Sequence, residues 1–242
     1  KPLENIKLKV SSKIHNNLPK KWKKVGDVVI LDLKNIDKNK RNKIAKFYAE
    51  ELGAKTIIQK RRISGELRKP GKVEILYGKE TTTVITEYGI SYKLDLSEIM
   101  WSPGNTGWRS ALVGPRKVND FYTFDNPKTI IDYFAGIGYF SLQMAKGYPQ
   151  TKVVAIDKNP KSIEYLSMNI EDNNIENIEI IDDDCRNVNV KADVIHLGYI
   201  GNTIDFLEHA YDNLNDKGIV IFHEAYRNNW LGFKSRSDWG SI

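Results

Sequence analysis

A glycine turn and the acids that follow the neighbouring strands are the residues of this chain best suited to chemistry. Residues 130–140, IIDYFAGIGYF, read as a buried strand, a turn and the start of a helix. Gly136 and Gly138 allow positive φ and let a ligand approach the main chain, while the helix that follows points free N–H groups at it. Asp157 ends the next strand, nineteen residues after Gly138. An acid at that offset binds ribose hydroxyls in nucleotide-binding α/β folds.

Two details favour S-adenosylmethionine (AdoMet) over a dinucleotide as the ligand. The strand before the turn ends with Asp132, and the turn lacks the third glycine of the dinucleotide motif. A further strand, 178–181, runs into Asp184, which can accept a hydrogen bond from the exocyclic amine of adenine. The alternative is that Asp157 and Asp184 belong to solvated loops. The predicted cofactor-binding residues here are Phe134, Ala135, Gly136, Gly138, Asp157, Asp184 and Cys185.

Composition restricts the class of protein. The 242 residues allow one or two domains, and no apolar run reaches the roughly 18 residues of a membrane span. The N-terminus has no signal-peptide core and no initiator Met, which predicts a trimmed start. The single cysteine, Cys185, predicts a reducing, cytoplasmic setting. The four histidines show no metal-ligand spacing, so we expect no metal.

The two halves of the chain differ in charge. Residues 1–125 hold 26 Lys/Arg against 14 Asp/Glu, a net of +12, whereas residues 126–242 hold 11 against 17, a net of −6. A basic half beside an acidic nucleotide-binding half predicts that the first half binds a polyanion. The alternative is a lysine-rich surface with no partner. The predicted RNA-binding residues are Lys60, Arg61, Arg62, Arg68 and Lys69.

The order of elements predicts two domains and a linker. Residues 1–100 form a basic α+β domain with a mostly antiparallel sheet, residues 101–126 a linker, and residues 127–242 a doubly wound, mostly parallel Rossmann-like domain. Residues 1–24 are expected to be a flexible arm or a poorly packed lead-in. Predicted strands are 25–31, 54–59, 73–77, 81–87, 90–94, 129–133, 152–157, 178–181, 192–197 and 218–223; predicted helices are 38–52, 139–146, 160–172 and 203–214.

An ordered set of short motifs resembles a tRNA-modifying family. The resemblance covers about residues 25–224 and includes the motifs ISGELR (63–68), VEILYG (73–78), EYG (87–89), WSPGN (101–105) and DYFAGIGYF (132–140). One branch of that family methylates N1 of the guanosine just 3′ of the anticodon. The other branch transfers the 3-amino-3-carboxypropyl group of AdoMet to the tricyclic base 4-demethylwyosine during wybutosine synthesis. The resemblance therefore implies a class I AdoMet transferase fold and a tRNA substrate.

The loop after strand 192–197 distinguishes the branches. The methylating branch has Asn-Leu-Pro or similar there, whereas this chain has Gly198-Tyr199, which resembles the aminocarboxypropyl branch. The resemblance implies release of methylthioadenosine. Apart from it, we expect a monomeric cytoplasmic enzyme. N1-methylation of guanosine-37 is the first alternative. A non-catalytic relative that binds AdoMet and tRNA is the second.

The resemblance also assigns roles to the linker, with two departures. Ser102 and Arg109 hold the positions of a serine and an arginine that contact AdoMet in the aminocarboxypropyl branch. The family's Glu-Arg-x-Arg is reduced here to the single arginine, Arg109. A full class I core also has two further strands after residue 224, so we expect a truncated or irregular C-terminal end.

No catalytic base follows from the sequence. Asp132, His196 and Tyr199 lie close enough in the motif map to be candidates for removing a proton from the base after transfer. The structural alternatives are that His196 is a hydrogen-bonded core histidine and that Tyr199 only packs.

Overall fold

The structure, a computed structural model, describes residues 1–60, 65–101, 107, 109, 124, 126–199 and 201–223. The chain divides into two compact units, Lys1–Pro103 and Gly104–Ile242.

Unit 1 contains a four-stranded mixed sheet and a separate hairpin. The sheet order is β1-β2-β3-β4, in which β2 and β3 are parallel and the other two pairs are antiparallel. The hairpin pairs β5 with β6 in antiparallel fashion, so the expected antiparallel character holds except at β2 and β3. The strands are β1 (Lys23–Val25), β2 (Val28–Ile30), β3 (Thr56–Lys60), β4 (Val73–Tyr77), β5 (Thr82–Glu87) and β6 (Ile90–Asp95).

The predicted strand over 25–31 is wrong, because the chain reverses within it. Gly26 adopts φ +57° and forms, with Asp27, the turn between β1 and β2. A Cβ on Gly26 would lie 2.1 Å from Thr83 Oγ1, so only glycine fits this turn without a shift. The sequence did not reveal this turn, because Val25 and the apolar run Val28–Ile30 together resemble a single strand.

The helix α2 (Lys38–Leu52) confirms the prediction and packs on the sheet. The Asp37 side chain caps it by accepting from the Asn39 N–H at 2.9 Å, and Gly53 ends it in the left-handed region. Its buried face includes Ile44 and Tyr48.

The expectation of a flexible or poorly packed lead-in is wrong. Residues Pro2–Leu8 form α1, and a 3-10 helix follows at Ser12–Asn17. Ile6 is fully buried and Leu18 is 3% exposed, and both belong to the core that contains α2. Lysines dominate the composition of this stretch, but apolar residues recur at a spacing that gives it one buried side.

Unit 2 contains five parallel strands in the order β11-β10-β7-β8-β9, which confirms the Rossmann-like, doubly wound class. The central strands are almost continuously apolar and buried, as expected where helices cover both faces of a parallel sheet. The strands are β7 (Thr129–Asp132), β8 (Lys152–Asp157), β9 (Ile178–Asp182), β10 (Ala192–Leu197) and β11 (Leu214–Phe222).

The helices of unit 2 whose bounds lie within the described residues follow strands of this sheet. They are α3 (Ser141–Gly147), α4 (Pro160–Asp172) and α5 (Leu207–Asp212), and two 3-10 helices occur at Cys185–Asn187 and Thr203–Phe206. The helix predicted over 203–214 therefore splits into a 3-10 turn and a short α-helix, and β11 begins at Leu214 rather than at residue 218. Within the described residues no helix has the length and apolar character to cross a bilayer.

Candidate active site

The glycine turn between β7 and α3 has the backbone conformation that the sequence predicted. Gly136 has φ +57° and Gly138 φ +94°, both in the region that favours glycine. A Cβ on Gly138 would lie 2.5 Å from Leu142 Cδ1 and 3.0 Å from Leu166 Cδ1. Gly138 therefore allows the turn to pack closely on α3 and α4. Gly136 leaves room for the Tyr139 ring, which a Cβ at that position would contact.

Asp157, at the end of β8, is bound to this turn. Its Oδ2 accepts from the Gly136 N–H at 2.7 Å, and its Oδ1 accepts from the Asn159 N–H at 2.9 Å. Burial of the carboxyl group raises its pKa to about 6, against the lowering effect of these two hydrogen bonds. The main chain fixes the position of this carboxylate, and burial disfavours its ionised form. Hydrogen bonds from ligand hydroxyl groups would stabilise that form.

Asp184, after β9, already has strong partners. Its two oxygens accept from Arg186 Nε at 2.9 Å and Arg186 Nη2 at 2.7 Å, and Lys158 Nζ lies 3.2 Å away. The Arg186 hydrogen bonds hold the pKa of Asp184 well below its usual range. An adenine amine would share this carboxylate with Arg186. The neighbouring Cys185 thiol is buried, which raises its pKa to about 12 and makes it a packing residue rather than a nucleophile.

Aromatic rings lie at the same carboxyl edge of the sheet. Phe134 in the turn lies 5.0 Å from the Tyr199 ring and 4.8 Å, edge to face, from the Phe206 ring. The Arg186 guanidinium lies 5.3 Å from the Phe206 centroid. Phe134 and Tyr199 are partly exposed, and aromatic rings at this edge suit contact with a planar base or adenine.

Three polar residues from the ends of adjacent strands form a hydrogen-bonded row. Asp132 Oδ1 lies 3.0 Å from His196 Nδ1, and His196 Nε2 lies 3.0 Å from His223 Nε2. The Ser141 hydroxyl donates to Asp132 Oδ2 at 2.6 Å. Asp132 and His196 are fully buried, whereas His223 is partly exposed. Phe140 lies against both histidine rings, with centroids 4.3 and 5.2 Å away.

The structure thus brings two of the three candidate bases together and leaves the third apart. Tyr199 packs on Phe134, and Thr203 links it to the row by donating to the Tyr199 and His223 carbonyls at 2.7 and 3.1 Å. His223 is not among the residues predicted from the sequence. The signal was present, because His223 directly follows the strand β11, which pairs with β10, and the carboxyl ends of parallel strands meet at one edge.

The linker residues are described only in part. Ser102 lies outside the described residues. Arg109 is helical and 1% exposed, so its side chain is buried.

The basic residues predicted to bind RNA lie in unit 1. Lys60 ends β3, Arg68 is partly buried with φ +51°, and Lys69 is exposed. Arg61 and Arg62 lie outside the described residues. In the part of the chain that the structure describes, no three or more metal-ligating side chains come together.

Two family models match the chain. The model described as "TYW2 N-terminal domain" matches residues 3–82, and the model described as "TRM5/TYW2 methyltransferase domain" matches residues 83–236.

The most similar curated relatives include two with the same printed function. The tRNA(Phe) (4-demethylwyosine(37)-C(7)) aminocarboxypropyltransferase of Pyrococcus horikoshii is 38% identical over 86% of this chain and 72% of its own length. The Methanocaldococcus jannaschii protein of that name is 39% identical over 85% of this chain and 78% of its own. The tRNA (guanine(37)-N(1))-methyltransferase Trm5b of Pyrococcus abyssi is 29% identical over 88% of this chain and 62% of its own.

Solved structures from both branches share the fold. The P. horikoshii TYW2 crystal structure in complex with MeSAdo matches with a TM-score of 0.74 and 33% identity, covering 92% of this chain and 78% of that one. The complex of aTrm5 and tRNALeu matches with a TM-score of 0.76 and 28% identity, covering 90% of this chain and 64% of that one.

Proposed function

We propose, from the premise that this chain belongs to the TRM5/TYW2 family, that it transfers the 3-amino-3-carboxypropyl group of AdoMet to C7 of 4-demethylwyosine-37 in tRNA(Phe). The observation that carries the proposal is the match of residues 3–82 to the TYW2-type N-terminal domain, because that model belongs to one branch. The higher identity to the two aminocarboxypropyltransferases than to Trm5b points the same way. Gly198-Tyr199, in place of Asn-Leu-Pro, agrees with them.

The residues of unit 2 fit AdoMet as the donor. The Asp157 carboxylate accepts hydrogen bonds from the ribose hydroxyls. The turn at Gly136 and Gly138 lets the cofactor approach the main chain, and Asp184 and Cys185 lie beside the adenine. AdoMet supplies a sulfonium with three carbons open to attack. The protein decides which carbon reacts by holding it in line with the nucleophile at about 3–3.5 Å. No catalysis by a metal is needed for this step, since the sulfonium is already electrophilic.

The second candidate function is N1-methylation of guanosine-37. The structural match to aTrm5 supports it, because the TM-score of 0.76 is as high as the 0.74 of the TYW2 structure. The two reactions differ in which carbon of AdoMet faces the base, so the shared fold alone cannot separate them. A non-catalytic AdoMet-binding relative is the third reading.

One experiment separates these functions. The protein is incubated with tRNA(Phe) carrying either 4-demethylwyosine or guanosine at position 37, and with AdoMet labelled in either the methyl or the carboxyl carbon. Carboxyl label in the 4-demethylwyosine tRNA is the expected result. Methyl label in the guanosine tRNA would replace the proposal with the second candidate, and no label in either tRNA would leave the binding relative.

AdoMet affinity should depend on pH through Asp157. Its pKa in the free protein is raised to about 6 by burial, and ribose hydroxyls that donate to the carboxylate favour the ionised form. Binding therefore lowers this pKa and releases a proton, so affinity falls as the pH drops below about 6, by up to about tenfold per unit. Calorimetry in two buffers of different ionisation enthalpy measures both effects. An Asp157→Asn variant cannot titrate, and its affinity should be flat over the same range.

The basic unit is proposed to hold the tRNA by its phosphates. Each phosphate contact contributes about 0.9 to the slope of log affinity against log salt on a duplex and about 0.7 on a single strand. Lys69→Ala should therefore lower the slope by nearly 1 and weaken binding to different tRNAs by the same factor. Lys55→Ala is the matched control, because Lys55 forms an ion pair with Asp27 at 2.6 Å. An equal loss of slope in both variants would contradict the assignment of Lys69.

We also propose separate roles for the parts of the chain, a cellular location and an oligomeric state. Residues 1–100 bind tRNA, residues 101–126 connect, and residues 127–242 bind AdoMet and the target base. The single cysteine supports a cytoplasmic protein, and we propose that it acts as a monomer, which size-exclusion chromatography with light scattering tests directly.

A further inference from the structure

We propose that Asn169, on α4, is a positioning residue for AdoMet binding, because its side-chain amide holds the glycine turn that receives the cofactor. The inference deepens the proposed function and rests on its assignment of AdoMet to this turn. It goes further by naming a residue that supports the turn from behind and lies 32 positions after Ile137 in the sequence.

The Asn169 amide contacts the middle residue of the turn. Its Nδ2 donates to the Ile137 carbonyl at 3.1 Å, and Asn169 is fully buried. A carbonyl oxygen only accepts hydrogen bonds, so the NH₂ group of the amide, and not its oxygen, must face Ile137. The contact is therefore a directed hydrogen bond from α4 to the main chain of the turn.

Asn169 belongs to the side of α4 that packs on the turn. The buried residues of this helix recur at the spacing of one helical face and are Ser162, Tyr165, Leu166 and Asn169. Leu166 lies where a Cβ on Gly138 would come within 3.0 Å of its Cδ1. The helix therefore contacts the turn at two successive positions, once through an apolar side chain and once through an amide.

Ile137 lies between two glycines, so the main chain on both sides of it can rotate. Gly136 and Gly138 have φ +57° and +94°, and without a Cβ each could also adopt negative φ at little cost. Asp157 fixes one side of Ile137 by accepting from the Gly136 N–H at 2.7 Å. Asn169 fixes the other side, since the planar peptide ties the Ile137 carbonyl to the Gly138 N–H. The two side chains together set the direction of the main chain in the turn.

The turn is buried on the side that faces α4. Ala135 and Ile137 are fully buried, and Ala135 packs with Leu166 in one apolar cluster. A carbonyl that loses its donor in such surroundings stays unpaired unless the backbone moves. Without the Asn169 amide, we therefore expect the turn to leave the conformation that binds AdoMet.

Asn169→Ala should bind AdoMet about tenfold more weakly, the scale of one hydrogen bond that fixes a binding site. Isothermal titration calorimetry, performed well below the unfolding temperature of the variant, measures the change. If the unaltered protein binds no AdoMet, the proposed function fails. If it binds AdoMet and Asn169→Ala binds it equally well, only the role of Asn169 is overturned.

Asn177→Ala is the matched control. Asn177 Nδ2 contacts three main-chain carbonyls beyond the middle of α3, those of Ala145 at 3.1 Å, Tyr148 at 3.1 Å and Thr151 at 2.8 Å. The same kind of side chain therefore holds the end of α3 that is distant from the glycine turn. Both variants should lower the unfolding temperature, but Asn177→Ala should keep the AdoMet affinity of the unaltered protein. An equal loss of affinity in both variants would reduce Asn169 to a stabilising residue.

The groups around Asp157 supply a second measurement. Its pKa of about 6 is lowered by the Gly136 and Asn159 N–H groups, which donate to it, and raised by burial and by the nearby carboxylates of Asp132 and Asp182. A turn that has lost its Asn169 bond holds the Gly136 N–H less firmly. The pKa of Asp157 in the free variant should therefore rise further.

The pH profile of AdoMet binding reads out that change. In the unaltered protein and in Asn177→Ala, affinity should begin to fall near pH 6, where Asp157 takes up a proton. In Asn169→Ala the fall should begin at a higher pH, because the raised pKa protonates Asp157 earlier as the pH drops. A loss of stability alone does not move this midpoint. An Asn169→Ala profile that is lower at every pH with an unchanged midpoint would overturn the positioning role.

Hydrogen exchange in the unaltered protein tests the proposal without any variant that must fold. AdoMet and the Asn169 amide should favour the same conformation of the turn, so binding of one stabilises the other. The side-chain amide protons of Asn169, followed by NMR, should therefore exchange more slowly when AdoMet is bound. Those of Asn177 report the general gain in stability and should slow less. Equal slowing of both amides, or none at Asn169, would overturn the proposal.

Discussion

Replacing Arg109 with lysine is expected to slow aminocarboxypropyl transfer by about 10²-fold at saturating AdoMet and tRNA, with tRNA affinity unchanged. Arg109 holds the position that the family resemblance assigns to contact with the methionine arm. Its planar fork can donate two parallel hydrogen bonds to a carboxylate, and lysine keeps the charge but loses the fork. The loss of about 10²-fold is the scale of misplacing reactants by about 1 Å.

The burial of Arg109 favours this role over phosphate binding. An arginine side chain that is 1% exposed is shielded from solvent, whereas an arginine that holds tRNA phosphate lies on an accessible surface. Arg41→Lys is the matched control, since Arg41 donates to the Ile36 and Lys34 carbonyls in unit 1. An Arg109→Lys protein with normal single-turnover transfer but weaker tRNA binding would assign Arg109 to phosphate instead.

Asp157→Ala is expected to weaken AdoMet binding by about 1.5–3 kcal/mol, or roughly 10- to 150-fold, the range for hydrogen bonds to a charged group. The loss has two sources. The ribose hydroxyls lose their acceptor, and the Gly136 N–H loses the 2.7 Å bond that fixes the turn. Isothermal calorimetry at about pH 7.5 measures the change directly.

Asp193→Ala separates these effects from a general loss of stability. Asp193 also accepts from two backbone N–H groups, those of Lys128 at 2.7 Å and Thr129 at 3.0 Å. It lies near the amino end of its strand, away from the carboxyl ends where the cofactor is proposed to bind. It should lower the unfolding temperature without changing AdoMet affinity. Equal AdoMet affinity in the Asp157→Ala and unaltered proteins would remove Asp157 from the cofactor site.

The sequence by itself determined the parts of this protein that depend on local pattern. Buried apolar runs such as Lys152–Asp157 could be assigned as strands because parallel strands are covered on both faces, and Pro160–Asp172 as a helix because it has a cap and a clear period. The glycine turn and the acid nineteen residues later indicated the nucleotide site for the same reason, since the spacing itself carries the chemistry.

Sequence patterns failed where long-range packing decided the conformation. Residues 1–24 were expected to pack poorly because lysines dominate them, yet Ile6 and Leu18 fill a core completed by α2. The turn at Gly26 was overlooked because the apolar residues on both sides of it resemble one strand, and the contact with Thr83 that requires glycine there lies far along the chain.

The tertiary structure alone decided the arrangement of the polar row. Asp132, His196 and His223 are 64 and 27 residues apart in sequence, and only the strand order β11-β10-β7 places them in contact. The sequence named two of them as separate candidates, but it could not show that all three form one hydrogen-bonded row. Hydrogen bonds require atoms within about 3 Å in a set orientation, and that geometry is a property of the folded sheet.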